Sequence, residues 1–338
     1  MLEQRRTTNI LLLIIAVPLV FYLLHILSFI FIPLIFSMFI ALLFLPLMRF
    51  FEKRKFPKFL SIAIIILIVI AGLKIGIELI KLSSREIIAS KTEFYQKAEI
   101  KIDALKVYGE KTFGIIINEE ENPLAIFFKK ENIGSTVGFV NRFLTTLLMT
   151  IFFAVLWLAE SINFHNLLNN TILKRKHTSI KAFRRIEGDL IKFIKVKFFV
   201  SLMTGIFTGV MCYFFDVSFP IFWGLFGFVI NFVQMVGSFV TVILCSLFAF
   251  VELESTTILL AFIASISGVQ VLFGAILEPI LMGKSFKINV IAVLVMLMLW
   301  GFIWGIPGLI MAIPITVFVK IILDQFPNSK VLASLLSG

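Results

Sequence analysis

The stretch INVIAVLVMLMLWGFIWGIPGLIMAIPITVFV, residues 288–319, contains no charged residue and has Gly305-Ile306-Pro307-Gly308 near its middle. A membrane helix needs about 20 mainly apolar residues, so this stretch is too long for one crossing. The clustered glycine and proline residues predict a break in the helix. We therefore expect a hairpin whose arms either cross the membrane as short helices or enter it and return. Such turns are tolerated at membrane depth only against protein or a water-filled cavity.

The tract before this hairpin continues the pattern from residue 217. Acidic residues near 252 and a polar segment at 278–287 divide it into a first broken hairpin, 219–251, and a helix, 256–277. Five further apolar runs of membrane length lie upstream, at 9–27, 29–48, 59–80, 139–160 and 198–215. The sequence therefore predicts an all-α integral membrane protein of about eight transmembrane helices, with broken or re-entrant hairpins in its C-terminal half.

The composition agrees with a membrane protein. Of the 338 residues, 60% are hydrophobic and 15% are charged, against about 45–50% and 25% in soluble domains. This excess excludes a soluble enzyme or a nucleic-acid-binding domain as the main body. Cys212 and Cys245 lie inside apolar runs and lack the spacing of a disulfide framework or a metal site, so we interpret them as core side chains.

The distribution of charge predicts the orientation. Segment 49–58 carries five cations against one acid, and segment 161–197 carries nine against two, whereas 81–138 has a net charge of zero. Since cytoplasmic loops are enriched in Lys and Arg, we place both termini, 49–58, 161–197 and 278–287 in the cytoplasm. Residues 81–138 and the acidic connector 252–255 then lie outside.

The chain divides into five predicted parts along this layout. They are membrane helices 1–3 (1–80), an external amphipathic helical segment (81–138), membrane helix 4 (139–160), a basic cytoplasmic loop (161–197) and a C-terminal membrane core (198–338). The external segment is predicted to continue the third helix until a turn at 118–123, and to pack on its neighbours, on a sister subunit or on the membrane surface. Lys74 and Glu78 lie four residues apart and are predicted to pair.

Motifs of catalysis are absent from the sequence. It contains no His-Glu-x-x-His, no Gly-x-Ser-x-Gly and no Gly-x-x-x-x-Gly-Lys-Ser/Thr phosphate loop. Its three histidines lie far apart in the sequence. We therefore expect no enzyme activity, no catalytic residue, no bound metal and no cofactor, and no transport driven by ATP through this chain alone.

Four polar residues at membrane depth are candidates for a functional site, because polar groups are costly there. They are Asn231, Gln234, Gln270 and Glu278. They would either line a cavity for a substrate or coupling ion, or cap the backbone of the broken helices. Seven residues are predicted to break the hairpins: Gly237, Pro279, Gly283, Gly305, Pro307, Gly308 and Pro314.

The C-terminal half resembles the autoinducer-2 exporter family, also called the PerM-type permeases. The family pattern is a Pro, a Trp-Gly and Asn-Phe-Ile-Pro-x-Ile-Gly-Ser, followed by Gln, Glu-Pro, Met-Gly, a second Trp-Gly, Gly-x-x-Gly and a late Pro. Its counterparts here are Pro220, Trp223-Gly224, 231–238, Gln270, Glu278-Pro279, Met282-Gly283, Trp300-Gly301, 305–308 and Pro314. One position departs from the pattern, since Gln234 stands where the family has a proline, which would enforce a helix break.

The resemblance implies a multi-pass inner-membrane permease, often a homo-oligomer such as a pentamer, that exports a small furanosyl signalling molecule. Some members are linked to sodium- or proton-coupled exchange, so H+ or Na+ is the implied coupling ion. Membrane lipids and a small polar solute are the expected partners, and no nucleic acid is expected.

Three functional hypotheses follow. The first is a secondary transporter or exporter of a small polar solute that uses the four candidate residues. The second is a sodium (lithium)/proton antiporter with Glu278 as its carboxylate. The third is a non-transporting membrane scaffold, against which the polar groups at membrane depth argue.

Overall fold

The computed structural model describes residues 2–113, 145–160, 177–233, 236–283 and 289–325. The regular elements in these ranges are helices, and none is a strand, which confirms the predicted all-α class. They are α1 (Leu2–Ile26), α2 (Ser28–Lys53), α3 (Lys58–Phe113), α4 (Thr145–Glu160), α5 (His177–Phe214), α6 (Pro220–Ile230), α7 (Val236–Glu252), α8 (Thr256–Gln270), a π-helical segment (Val271–Leu277), α9 (Glu278–Met282), α10 (Val290–Trp304) and α11 (Ile306–Gln325).

Several of these helices have the length and composition of membrane spans. Within the described ranges, four stretches are long and apolar enough to cross a bilayer: Ser28–Lys53, Lys58–Ile87, Thr256–Met282 and Ile306–Leu323. Shorter apolar helices are Ile14–Ile26, Thr145–Glu160, Pro220–Ile230, Val236–Glu252 and Val290–Trp304. Together they match the multi-pass architecture expected from the sequence.

Helix α3 continues without a break from its apolar half into the polar segment predicted to lie outside. One face of this extension packs on the far end of α7: the Phe94 ring stacks on Phe248 at 4.5 Å between centroids, and Lys101 Nζ lies 5.3 Å from the centre of the Phe250 ring. The extension therefore rests on the first hairpin. The turn predicted at 118–123 lies outside the described residues.

The first broken hairpin consists of α6 and α7. Helix α6 has 11 residues, about 16 Å in length at the usual rise, which is about half of the hydrocarbon core of a bilayer. It begins with Pro220 at its first position, where proline needs no hydrogen-bonded N–H. At the return, Gly237 lies so close to the Ile230 carbonyl that an added Cβ would collide with it. By its length, α6 is a half-span.

The second hairpin consists of α10 and α11, which are separated by Gly305 alone. Gly305 has φ 62°, a backbone conformation that side-chain-bearing residues rarely adopt. Three residues later, an added Cβ on Gly308 would collide with the Trp300 carbonyl. Asn289 begins the hairpin by accepting a hydrogen bond from the backbone N–H of Ile291 at 2.9 Å.

The described residues form two compact units. The first comprises the described parts of 1–68, 145–195 and 282–338, and the second those of 69–144 and 196–281. In the first, Trp304 Nε1 donates to the Leu24 carbonyl at 2.9 Å, and His25 Nδ1 lies 2.7 Å from the Ile303 carbonyl, which ties the end of α1 to α10. The second unit contains a buried cluster that includes Cys212, Cys245, Trp223, Phe262 and Ile266.

Candidate functional site

A row of polar side chains runs along one face of α5 in the second unit. Lys197, Ser201, Thr204 and Thr208 are spaced four, three and four residues apart, which places them on one helical face. All four are buried, and Lys197 is 3% exposed. The half of α5 that follows residue 195 is otherwise apolar, and a polar face turned inward there indicates a site or a path inside the protein.

A buried ion pair forms at the first of these positions. Lys197 Nζ donates to both carboxylate oxygens of Glu278, each at 3.0 Å, and the two side chains are 3% and 5% exposed. The pair joins α5 to α9 across 81 residues of sequence. Charged groups away from water persist when they neutralise one another, and losing one partner leaves the other uncompensated. Glu278 thus remains compatible with a membrane interior because Lys197 faces it.

An ion pair elsewhere in the second unit has a different character. Glu78 on α3 pairs with Lys81 at 2.8 Å, rather than with Lys74 as the spacing predicts, and both side chains are more than half exposed. Exposed ion pairs contribute little to the free energy of unfolding. This contrast makes Glu78 a suitable control for Glu278.

The second contact on the polar face joins Asn231 to Ser201. Asn231 is the C-terminal cap residue of α6, is buried, and donates through Nδ2 to Ser201 Oγ at 3.0 Å. Because Ser201 lies one turn from Lys197 on α5, the structure brings the end of the half-span α6 next to the ion pair.

Gln270 contributes a buried amide to the same region of the second unit. It is 6% exposed, and neither its Oε1 nor its Nε2 has a hydrogen-bond partner among the described residues. Its neighbours Val269 and Phe273 pack with Val200 of α5, so this part of α8 lies against the helix that bears Lys197 and Ser201. A buried unpaired amide costs about 1–3 kcal/mol per group. In a native protein, such a group calls for a ligand or another functional explanation.

A π-helical segment lies between Gln270 and Glu278, two of the residues predicted for the site. Val271–Leu277 begins directly after Gln270 and ends directly before Glu278. Its wider turn changes the phase of the helix, and both flanking side chains are buried while Val271, Leu272 and Ile276 are exposed. Short π segments inside α-helices occur frequently at functional sites.

The remaining residues predicted from the sequence fall as follows. Gln234 lies outside the described residues. The two hairpin returns contain four of the predicted residues: Gly237, Gly305, Pro307 and Gly308. The other three lie elsewhere. Pro279 lies within α9, Gly283 follows α9 with φ 80°, and Pro314 lies inside α11, which continues beyond it.

Two residues of this region, Lys197 and Ser201, are not among the candidates predicted from the sequence, because Lys197 is counted with the basic loop 161–197. The polar spacing from Lys197 to Thr208 is the sequence signal for them.

The arrangement offers several kinds of polar contact. We define the candidate site as Lys197, Ser201, Asn231, Gln270 and Glu278. The free amide of Gln270 provides one donor group and one acceptor, and the ion pair provides more of each. The Glu278 carboxylate can accept a proton. It can also bind a hard cation through oxygen, and the amide and hydroxyl oxygens of the site can serve as further ligands of such a cation. The site can therefore hold an oxygen-rich solute, a proton or a small cation.

Comparison with known proteins gives relatives over nearly the whole chain. The model of the AI-2E family transporter matches residues 10–328. A protein of Borreliella burgdorferi that carries a provisional transport name is 29% identical over 90% of this chain and 84% of its own length. The AI-2 transport protein TqsA of Escherichia coli (strain K12) is 23% identical over 90% and 89%. YrrI of Bacillus subtilis (strain 168), also provisionally named for transport, is 26% identical over 88% and 86%.

Proposed function

Since this chain belongs to the AI-2E transporter family, we propose that it is a secondary transporter that exports a small polar solute. The observation that carries the proposal is the buried Lys197–Glu278 pair together with the buried amide of Gln270, which has no hydrogen-bond partner among the described residues and lies eight residues before Glu278. Polar groups at membrane depth are costly and mark substrate or ion pathways. This cost is explained when a solute completes the hydrogen bonds of the site.

The solute is proposed to bind through hydroxyl or carbonyl oxygens. Gln270 would donate and accept one hydrogen bond each, and the ion pair would add contacts without imposing a net charge. Because the pair is neutral as a whole, the site favours a neutral solute over an ion of either sign. A small furanosyl molecule such as autoinducer-2 has this chemistry, and TqsA is named for AI-2 transport.

Glu278 is proposed to couple transport to H+ or Na+. Protonation would release the carboxylate from Lys197, and a cation would compete with the Lys197 ammonium for the same two oxygens. The same geometry favours the second candidate function, a sodium (lithium)/proton antiporter, because the competition requires no other solute. The two functions differ in whether a neutral solute moves with the ion.

The protein is proposed to lie in a bacterial inner membrane with both termini in the cytoplasm. The excess of Lys and Arg in 49–58 and 161–197 supports this orientation. Many large apolar side chains of α1 and α3 are exposed, among them Ile15, Phe59 and Leu67. These surfaces suit membrane lipid or a sister subunit of a homo-oligomer.

The experiment that tests the proposal is flux through the purified protein in liposomes after a pH jump, with autoinducer-2, Na+ and Li+ as separate probes. Export of autoinducer-2 that depends on the gradient, and that Glu278→Gln abolishes, is the expected result. Cation-dependent proton movement without solute flux would favour the antiporter instead. Absence of flux for all three probes would contradict both candidates.

A further inference from the structure

Besides the Gln270 amide, four buried polar atoms of the second unit have no hydrogen-bond partner among the described residues: Glu86 Oε2, Thr208 Oγ1, Trp223 Nε1 and Ser246 Oγ. Two of them, Thr208 Oγ1 on α5 and Trp223 Nε1 on α6, belong to helices of the candidate site. Thr208 is fully buried and Trp223 is 6% exposed. Thr208 lies on the same face of α5 as Lys197, eleven residues later in the sequence. It is therefore about 16 Å farther along the helix axis.

The two residues lie at one helix contact. An added Cβ on Gly227 of α6 would be 3.3 Å from Thr208 Oγ1, so the threonine faces α6 at this glycine. Trp223 is four residues before Gly227 and shares its face of α6. Thr208 thus meets α6 about one turn from Trp223.

The missing partner of Thr208 is unusual within this protein. Five threonines are buried among the described residues, and four of them donate to the carbonyl four residues earlier: Thr150, Thr204, Thr241 and Thr316. That local bond is open to almost any helical threonine, yet no such bond forms at Thr208. The indoles differ in the same way, since Trp304 Nε1 donates to Leu24 whereas Trp223 Nε1 has no acceptor in the described structure.

We propose that Thr208 and Trp223 form a second solute-binding station, reached from the Lys197–Glu278 site along the polar face of α5. The inference rests on the proposed transport function and extends it to a second position. An indole N–H only donates, and a hydroxyl donates or accepts, so the station takes a hydroxyl or carbonyl oxygen. The buried cluster around Trp223 consists of apolar side chains and two cysteines. The station therefore suits a neutral group.

The first test needs no solute. In a background with Cys212→Ala and Cys245→Ala, Thr208→Cys is compared with Ile206→Cys, which lies on the exposed, apolar side of the same helix turn. The probe is a charged, membrane-impermeant methanethiosulfonate reagent. Such reagents need a thiolate, which forms in water and not in an apolar environment. We expect labelling of Thr208→Cys to be about tenfold faster. Equal labelling of the two variants would overturn the proposal.

The second test measures export of autoinducer-2 by Thr208→Val, with Thr241→Val as the matched control. Both threonines are buried, but the Thr241 hydroxyl on α7 is bonded to the Gly237 carbonyl, and Thr241 does not lie on the polar face of α5. We expect the KM to rise about tenfold, the loss of one good hydrogen bond, in Thr208→Val and in Trp223→Phe. Thr241→Val should keep the wild-type KM.

The outcomes separate this inference from the proposed function. A wild-type KM in Thr208→Val, together with an inactive Glu278→Gln, would remove the second station and leave the first site in place. If the wild-type protein exports no autoinducer-2, the proposed substrate is wrong, and the labelling result alone decides whether Thr208 faces an aqueous path.

Discussion

The Lys197–Glu278 pair illustrates how a charged residue is accommodated inside this membrane protein. Taking each charge out of water costs several kcal/mol, and the attraction between the two offsets that cost only while both remain. With both oxygens of Glu278 bound at 3.0 Å, the pair is closed in the structure. A solute, proton or cation that opens it must supply replacement contacts, and this requirement links binding to conformational change.

At the residue scale, we expect the two charges to depend on one another for stability. Lys197→Met should destabilise the protein by about 3–5 kcal/mol, because it leaves Glu278 buried and unpaired. Lys197→Met combined with Glu278→Leu should recover most of that loss, since two apolar side chains need no compensation. The measurement is thermal unfolding in detergent micelles. A double variant no more stable than Lys197→Met would show that the pair is not coupled.

The two broken hairpins share a feature at the scale of the helical element. In each, a glycine near the start of the second arm lies against a carbonyl near the end of the first: Gly237 against Ile230, and Gly308 against Trp300. A side chain at either position would force the arms apart. Both short returns therefore depend on glycine, because the backbones of the two arms approach closely there. In the second hairpin, the positive φ of Gly305 is an additional reason for glycine.

We expect Gly237→Ala to destabilise the first hairpin by about 1–3 kcal/mol, as overpacking of a tight contact does. Gly268→Ala is the matched control, because Gly268 lies in α8 with open space where its Cβ would be. That change should be neutral or stabilise by roughly 0.5–1 kcal/mol, since alanine is the better helix former. Melting temperatures of the two purified variants measure the difference. Equal effects would contradict the close packing at Gly237.

At the scale of the whole molecule, the arrangement of charge predicts which side of the membrane each connector faces. Glu254 and Lys53 are both exposed and lie in connectors of opposite charge. In a cysteine-free background, an impermeant thiol reagent should label Glu254→Cys in intact cells and should label Lys53→Cys only after the membrane is permeabilised. The reverse pattern would invert the orientation, and with it the direction of the proposed export.

Local signals in the sequence predicted the helical class, the hairpins and three of the five residues in the candidate site. Glu278, Asn231 and Gln270 stand out because each interrupts an apolar run. Lys197 does not stand out, since it ends a basic segment, and its partner is 81 residues away. The π-helical segment between Gln270 and Glu278 has no marker in its composition. The unsatisfied hydroxyl of Thr208 also depends on packing, because its sequence context resembles that of Thr204.

The most direct test of the central claim is solute counterflow in proteoliposomes, which detects binding and exchange of the solute without an ion gradient. Autoinducer-2 is trapped inside, and entry of the labelled molecule is followed for the wild-type protein, Glu278→Gln and Glu78→Gln. Both variants remove one carboxylate charge, one from the buried pair and one from the exposed pair. The account predicts counterflow in the wild-type protein and in Glu78→Gln, and none in Glu278→Gln. Full counterflow in a folded Glu278→Gln protein would contradict the assignment of the site.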